Sequence, residues 1–418
     1  MFFKIELNKM FYKIGNNTLI QIMGKIISIF FSIFVVSLLT RYLGIEGYGE
    51  FTLVFAYLAI FGVLADFGLH LAMIKVFPKY EDDPKKIIGS YFIIRILFVV
   101  TSTLLALFCI LFVPYSFETK IAIIIGAIGV GIGFLSGFGN AIFQSKLRID
   151  LITYIDIFGK IITIFFIYIF IQLGLNIYFI ISAILIGNIA SFILSIYYLI
   201  QRDEFSLDFD KKITQDLLSI SIPVGITAFF TLLYFKIDTL LLSFFKSSTD
   251  IAFYGVSYKI FENLLILWGF YMASAYPILS SKVNKNAEFN KFLKQCIILA
   301  IIGSSIIVVF GYILAPFLVT IIAGEKFLVS ADSLRILLFS IPIFFINNIF
   351  YHVFLLRNKM WILVGVLIGS LLFNIVINLI VIPKYSFIGT SYTTVITELF
   401  TFSFYFYLFL NFKKKYEN

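Results

Sequence analysis

The chain has 418 residues, of which 61% are hydrophobic and 13% charged, with a mean hydropathy of +1.04. Soluble proteins carry about a quarter of their residues as charges, and no water-solvated core hides this much apolar surface, so lipid is the solvent. The net charge of +9 is then a topology signal, and no nucleic-acid partner is expected.

In chain order, Lys4, Lys9 and Lys13 precede the first apolar run in the manner of a signal peptide. That run is too long and no A-x-A site follows it, so a membrane span is expected. Twelve apolar runs follow one another, at about 14–40, 51–77, 87–113, 120–145, 152–172, 177–200, 214–244, 251–280, 291–322, 331–356, 360–382 and 387–411, most long enough for the ~20 residues a bilayer needs. The first joint reads LLTRYLGIEGYGEF, Leu38 to Phe51. A helix is expected to end there at Leu39 with Arg41 on its polar border, and Gly44 and Gly47 to turn the chain back. A similar joint, FFKSSTDIAFYGVSY, spans Phe244 to Tyr258. Between them, Gly126 to Gly139 give run four a small-residue face for close helix approach. FQSKLRI closes run four and FLLRNKM closes run ten. Pro223, Pro277, Pro316 and Pro342 are expected to kink or break their runs. The longest polar insert, Gln201 to Asp216, divides six runs from six. The expected organisation is therefore a lobe at 1–200, a cytoplasmic linker at 201–216 and a second lobe at 217–418, as in a parallel-repeat transporter.

The bases fix an orientation. With the N-terminus cytoplasmic, 21 of the 32 Lys and Arg fall in inside segments, 5 in outside joints and 6 within runs. This obeys the positive-inside rule and predicts that both termini are cytoplasmic. Cys109 and Cys296 lie in apolar runs, and His70 and His352 are the sole histidines, so neither a disulfide framework nor a metal site is expected. No Walker, zincin or GxSxG pattern occurs, and no cofactor is expected.

The RYLGxxxYGxF joint, the Phe143-Gln144 pair, the mid-chain loop and the IDTLLLSFF…YGVSYKIFE stretch resemble the Wzx-type polysaccharide biosynthesis flippases of the multidrug/oligosaccharidyl-lipid/polysaccharide exporter superfamily. The resemblance covers essentially the whole chain. It implies an all-α polytopic membrane protein of 12 transmembrane helices in two six-helix lobes around a central cavity, in the cytoplasmic membrane. It also implies passage of an undecaprenyl-pyrophosphate-linked sugar repeat unit to the outer leaflet for O-antigen or capsule synthesis, with a polysaccharide polymerase among its partners.

Charged residues inside spans are costly in lipid and face a cavity or a partner. Lys25, Asp66 and Arg95 lie roughly 12–17 Å from the cytoplasmic edge, and Lys236, Asp238, Lys259, Glu262 and Glu398 about 9–17 Å below the outer edge. Lys25, Arg95, Lys236 and Lys259 are the candidates to hold the anionic headgroup, since lysine meets phosphate as a point charge. Asp66, Asp238, Glu262 and Glu398 are the candidates to bind H⁺ or Na⁺. The alternative for all of them is mutual neutralisation, which spacing favours for Asp156 with Lys160 and allows for Lys259 with Glu262. Asn347, Asn348, Asn374 and Asn378 read as interhelical hydrogen-bond glue. A drug/cation antiporter of the same superfamily needs more acids than bases in its cavity. A glycan polymerase or glycosyltransferase needs a large outer loop, and every outer joint here is short.

Overall fold

The computed structural model describes the backbone of residues 2–201, 205, 207–283, 285–357 and 359–417. It describes the side chains of residues 20, 23–201, 205, 207–283, 285, 287–357 and 359–411. The described chain is all-helical: α1 Phe2–Asp66, α2 Leu69–Val76, α3 Pro84–Cys109, α4 Phe117–Ser145, α5 Ile149–Gln172, α6 Ile177–Gln201, α7 Lys211–Phe245, α8 Ser248–Lys282, α9 Asn286–Ala323, α10 Ser330–Leu338, α11 Ile341–Leu356 and α12 Met360–Glu417, with three short 3-10 turns. Among the described residues, nine stretches are long and apolar enough to cross a membrane, or ten if α10 and α11, bent by 45°, form one crossing.

Two of these helices are too long for one crossing. At ~1.5 Å per residue, the 65 residues of α1 would reach about three times the hydrocarbon thickness if straight. Its backbone leaves the helical region at Gly44 (φ 68, ψ −166), and the 58-residue α12 does so at Ser386 (φ 50, ψ −142). The first joint thus turns on one residue, later than the expected end at Leu39, and Gly47 keeps ordinary backbone. The helix can run past Leu39 because Arg41 finds acceptors in place of water. Its guanidinium donates to the carbonyl oxygens of Ser37 (3.0 Å), Ile321 (2.9 Å) and Ile322 (3.2 Å), the last two in the final turn of α9, where no following turn of helix supplies donors.

The second run does not reach residue 77 as one helix. Phe67 (φ 38) and Gly68 (φ 78) break it before α2. Pro342 begins α11 at the bend after α10, whereas Pro223, Pro277 and Pro316 lie inside α7, α8 and α9, which stay continuous. Within α7 the Thr227 hydroxyl donates back to the Pro223 carbonyl at 3.0 Å, one turn earlier.

By Cα proximity the chain forms two compact units, unit 1 of Met1–Val35 and Val54–Leu232 and unit 2 of Val36–Leu53 and Leu233–Asn418. In unit 1, α4 lies along α6 with almost no side chain between them: a Cβ on Gly139 would stand 1.9 Å from the Ser195 hydroxyl. A buried core of Leu69, Met73, Ile87, Tyr91, Phe138 and Leu217 joins α2, α3, α4 and the start of α7. There α7 meets the break after α1 backbone to backbone, with the Ser221 hydroxyl donating to the Phe67 carbonyl at 2.6 Å. In unit 2, Phe350, Phe354, Leu363, Val366 and Tyr405 pack α11 against both sections of α12. Helix α9 leaves Ile302, Ile306, Phe310, Ile313 and Phe317 more than half exposed, a stripe that only acyl chains would solvate.

A Cβ on Gly225 would lie 2.5 Å from the Phe67 carbonyl oxygen, while one on Gly303 would meet nothing within 4 Å. Gly225→Val is therefore expected to cost about 1–3 kcal/mol through overpacking and Gly303→Ala to be near neutral. Thermal unfolding in detergent, followed through Trp268 and Trp361, measures both.

Candidate functional site

In unit 1 the intramembrane charges are largely claimed. Arg95 on α3 is 2% exposed. Its guanidinium is paired with Asp66 at the end of α1 and donates through Nε to the Phe134 carbonyl at 3.0 Å. The phenyl ring of Phe134 lies 5.8 Å from the guanidinium carbon. Lys25 on α1 is exposed, and no ion-pair partner for it occurs among the described residues. On α5, Asp156 and Lys160 pair at 2.6 Å, as their spacing predicts, with side chains 46% and 34% exposed. Ser28 of α1 joins them, accepting from Lys160 at 2.7 Å and donating to Asp156 at 2.8 Å.

In unit 2 the pairing differs from the local one that the spacing allows. Glu262 on α8 pairs with Lys236 on α7 at 2.5 Å, and Lys236 also lies 5.6 Å from the centre of the Tyr258 ring. Lys259, one turn before Glu262, is half-buried and has no hydrogen-bond or ion-pair partner among the described residues. Two ammonium groups therefore stand near one carboxylate, leaving a positive excess of one. Coulomb attraction acts at any pitch of the helix. The acid reaches across to α7 because its long side chain lets it choose the partner with the better approach.

The other two carboxylates form no ion pair among the described residues. Asp238 on α7 is 2% exposed and accepts from the Tyr254 hydroxyl (2.9 Å), the Asn378 amide (2.7 Å) and the Thr394 hydroxyl (3.0 Å). Glu398 on α12 is 4% exposed and accepts from the Tyr234 hydroxyl (2.7 Å) and the Asn347 amide (2.7 Å). Of the four asparagines, Asn347 and Asn378 act between helices, and their partners are carboxylates. Asn378 also donates to the Asn374 Oδ1 at 2.9 Å, while Asn348 offers its carbonyl oxygen to His352. Sequence reading had not picked out Tyr234, Tyr254 or Thr394 for this shell. The i, i+4 spacing of Asn374 and Asn378 in an apolar run was the signal present for it.

The eight candidates thus fall into three chemical groups. Arg95–Asp66 and Lys236–Glu262 are ion pairs. Lys25 and Lys259 form no ion pair among the described residues. Asp238 and Glu398 are buried acids held by neutral donors, and beside them the Oδ1 atoms of Asn378 and Asn347 are buried with no partner. Among the described residues no three His, Cys, Asp or Glu side chains come together as a metal cluster would require. A monovalent cation or a proton matches a lone carboxylate with amide and hydroxyl oxygens around it.

The family model described as "Polysaccharide biosynthesis protein" matches residues 14–283, and a second, described as "MatE", matches residues 223–380. Over 382 residues the chain is 24% identical to the uncharacterized membrane protein MJ1068 of Methanocaldococcus jannaschii, covering 83% of this chain and 74% of that protein. Its fold is similar to that of an inward-facing multidrug resistance MATE family transporter of the MOP superfamily, at a TM-score of 0.77, 14% identity, and 92% and 95% of the two chains. It is also similar to the lipid II flippase MurJ in an inward closed conformation, at a TM-score of 0.75, 17% identity, and 93% and 87% coverage. The fold is that of these membrane transporters, and with a family model matching well over half of its length the chain belongs to the polysaccharide biosynthesis protein family.

Proposed function

We propose that this protein is a flippase that moves an undecaprenyl-pyrophosphate-linked sugar repeat unit from the inner to the outer leaflet of the cytoplasmic membrane by alternating access. Its product feeds a surface-polysaccharide polymerase of the O-antigen or capsule type. The observation that carries this reading is the excess ammonium of unit 2, where Lys236 pairs with Glu262 and Lys259, one turn before that acid, has no ion-pair partner among the described residues. A pyrophosphate is the natural counter-ion for it, and an unpaired cation in lipid is otherwise costly. Family membership supports a role in polysaccharide synthesis, and the MurJ fold supports a lipid-linked cargo.

The same reading takes the membrane topology as twelve crossings. Dividing α1 and α12 at their kinks and counting α10 with α11 once brings the nine apolar stretches to that number. Both termini are cytoplasmic, and the halves 1–200 and 217–418 flank the linker at 201–216. Lys25 meets the headgroup from the first half. Arg95 acts through Asp66, releasing it when the pair opens. Asp238 takes the coupling cation, H⁺ or Na⁺, with the Asn378 and Thr394 oxygens, and Glu398 with Asn347 is its second candidate.

A drug/cation antiporter is the competing reading, favoured by the MATE fold and the match over residues 223–380. Proteoliposomes loaded with a fluorescent lipid-linked oligosaccharide separate the two. The wild-type chain is expected to move the label between leaflets and to leave cationic drugs where they are; drug efflux without lipid movement contradicts the flippase. Losing one charge-assisted contact costs about 1.5–3 kcal/mol, so Lys259→Gln is expected to slow translocation by roughly tenfold or more, with normal insertion. In the same vesicles, an imposed Na⁺ or pH gradient is expected to accelerate the wild type and to have no effect on Asp238→Asn. An undiminished gradient response in that variant removes Asp238 from the coupling step.

A further inference from the structure

Unit 1 holds a cavity of about 230 Å³ bounded by α4, α5 and α6, outside the eight residues discussed above. Its wall carries Ser136, Asn140, Asp156, Lys160, Thr163 and Asn188, and Ile155 is its only large apolar residue. A void left by imperfect helix packing in lipid is apolar and dry, whereas polar groups inside spans are retained for a partner. In two of these groups the amide oxygen has none among the described residues. Asn140 makes no hydrogen bond among the described residues, and its Oδ1 is buried. Asn188 donates to the Gly129 carbonyl at 2.9 Å and its Oδ1 accepts from nothing described.

The charge on the wall is balanced. Lys160 and Asp156 meet at 2.6 Å with Ser28 bridging them, so the cavity offers an anion no net attraction, and its one carboxylate already has a resident cation. A lining with Ile155 as its one large apolar side chain tells against an acyl chain or an apolar drug. What remains is a neutral ligand presenting donors and acceptors in turn, which is the chemistry of a polyol. The volume lies below the ~300 Å³ at which pockets for whole ligands begin, so it suits one ring of a longer molecule.

We propose that this cavity is a subsite for one neutral sugar ring of the transported glycan, gripped through Asn140, Asn188, Ser136 and the Asp156–Lys160 pair. The inference rests on the lipid-linked-glycan reading given above.

The test uses the full chain in nanodiscs and two probes, bare undecaprenyl pyrophosphate and the same lipid carrying a trisaccharide of neutral hexoses. The wild type is expected to bind the glycosylated lipid about tenfold more tightly. Ser136→Leu, which fills the cavity, and Asn140→Leu, which gives up no hydrogen bond, are expected to bring that ratio close to one while leaving bare-lipid affinity intact. The unfolding midpoint checks that each variant is folded; Asn140→Leu carries the test if Ser136→Leu is not. A preserved ratio, or an equal loss for both probes, overturns the subsite. So does a change confined to the Na⁺ or pH dependence of transport, which would make the cavity an ion site. A wild type that binds neither probe brings down the flippase reading itself, an outcome distinct from the others.

Discussion

Lipid gives a charged side chain no water, and the structure finds most of the charges within its apolar helices a substitute. Asp66 and Glu262 have resident cations in Arg95 and Lys236. Asp238 and Glu398 have hydroxyls and amides instead. The distinction has a physical consequence. An acid already paired with a cation gains little from binding another, and stripping one partner from a buried pair costs about 3–5 kcal/mol. An acid held by neutral donors can take up a proton or a metal ion at far smaller cost. Arg41 obeys the same constraint at the end of α9, where backbone carbonyls replace a counter-ion.

The backbone economises in a related way. Gly44, Ser386 and the Phe67–Gly68 pair each reverse or bend a helix with one or two residues in positive-φ backbone, leaving few polar groups to solvate outside the helices. At Ser386 the strain of a non-glycine residue is offset by its hydroxyl, which donates to Asp250 at 2.6 Å. Helices joined so tightly leave short connections among the described residues. This accords with the transporter fold.

Periodicity and hydropathy made the helical class, the apolar runs and the tight joints legible, because lipid imposes them residue by residue. The Asp156–Lys160 pair was legible too, since four residues on one helix fix two side chains on one face. The Lys236–Glu262 pair was not. It joins α7 to α8, and the spacing of Lys259 and Glu262 pointed to a local alternative that the structure does not use. The shell around Asp238 was hidden for the same reason, as Tyr254, Asn378 and Thr394 are far apart in sequence and neutral. Helix ends were misplaced at Leu39, because the acceptors for Arg41 come from residues about 280 positions away. Pro223, Pro277 and Pro316 suggested kinks or breaks, yet α7, α8 and α9 run on through them as continuous helices.

The proposed function puts the ammonium of Lys259, which has no ion-pair partner among the described residues, on a water-filled path used by an anionic headgroup. Lys259→Cys in a chain freed of Cys109 and Cys296 tests it most directly, by labelling in intact vesicles with a membrane-impermeant maleimide. The account predicts modification from the aqueous side and protection by added undecaprenyl pyrophosphate. A thiol that resists the aqueous reagent yet reacts with a lipid-soluble one would put this position among acyl chains and contradict it.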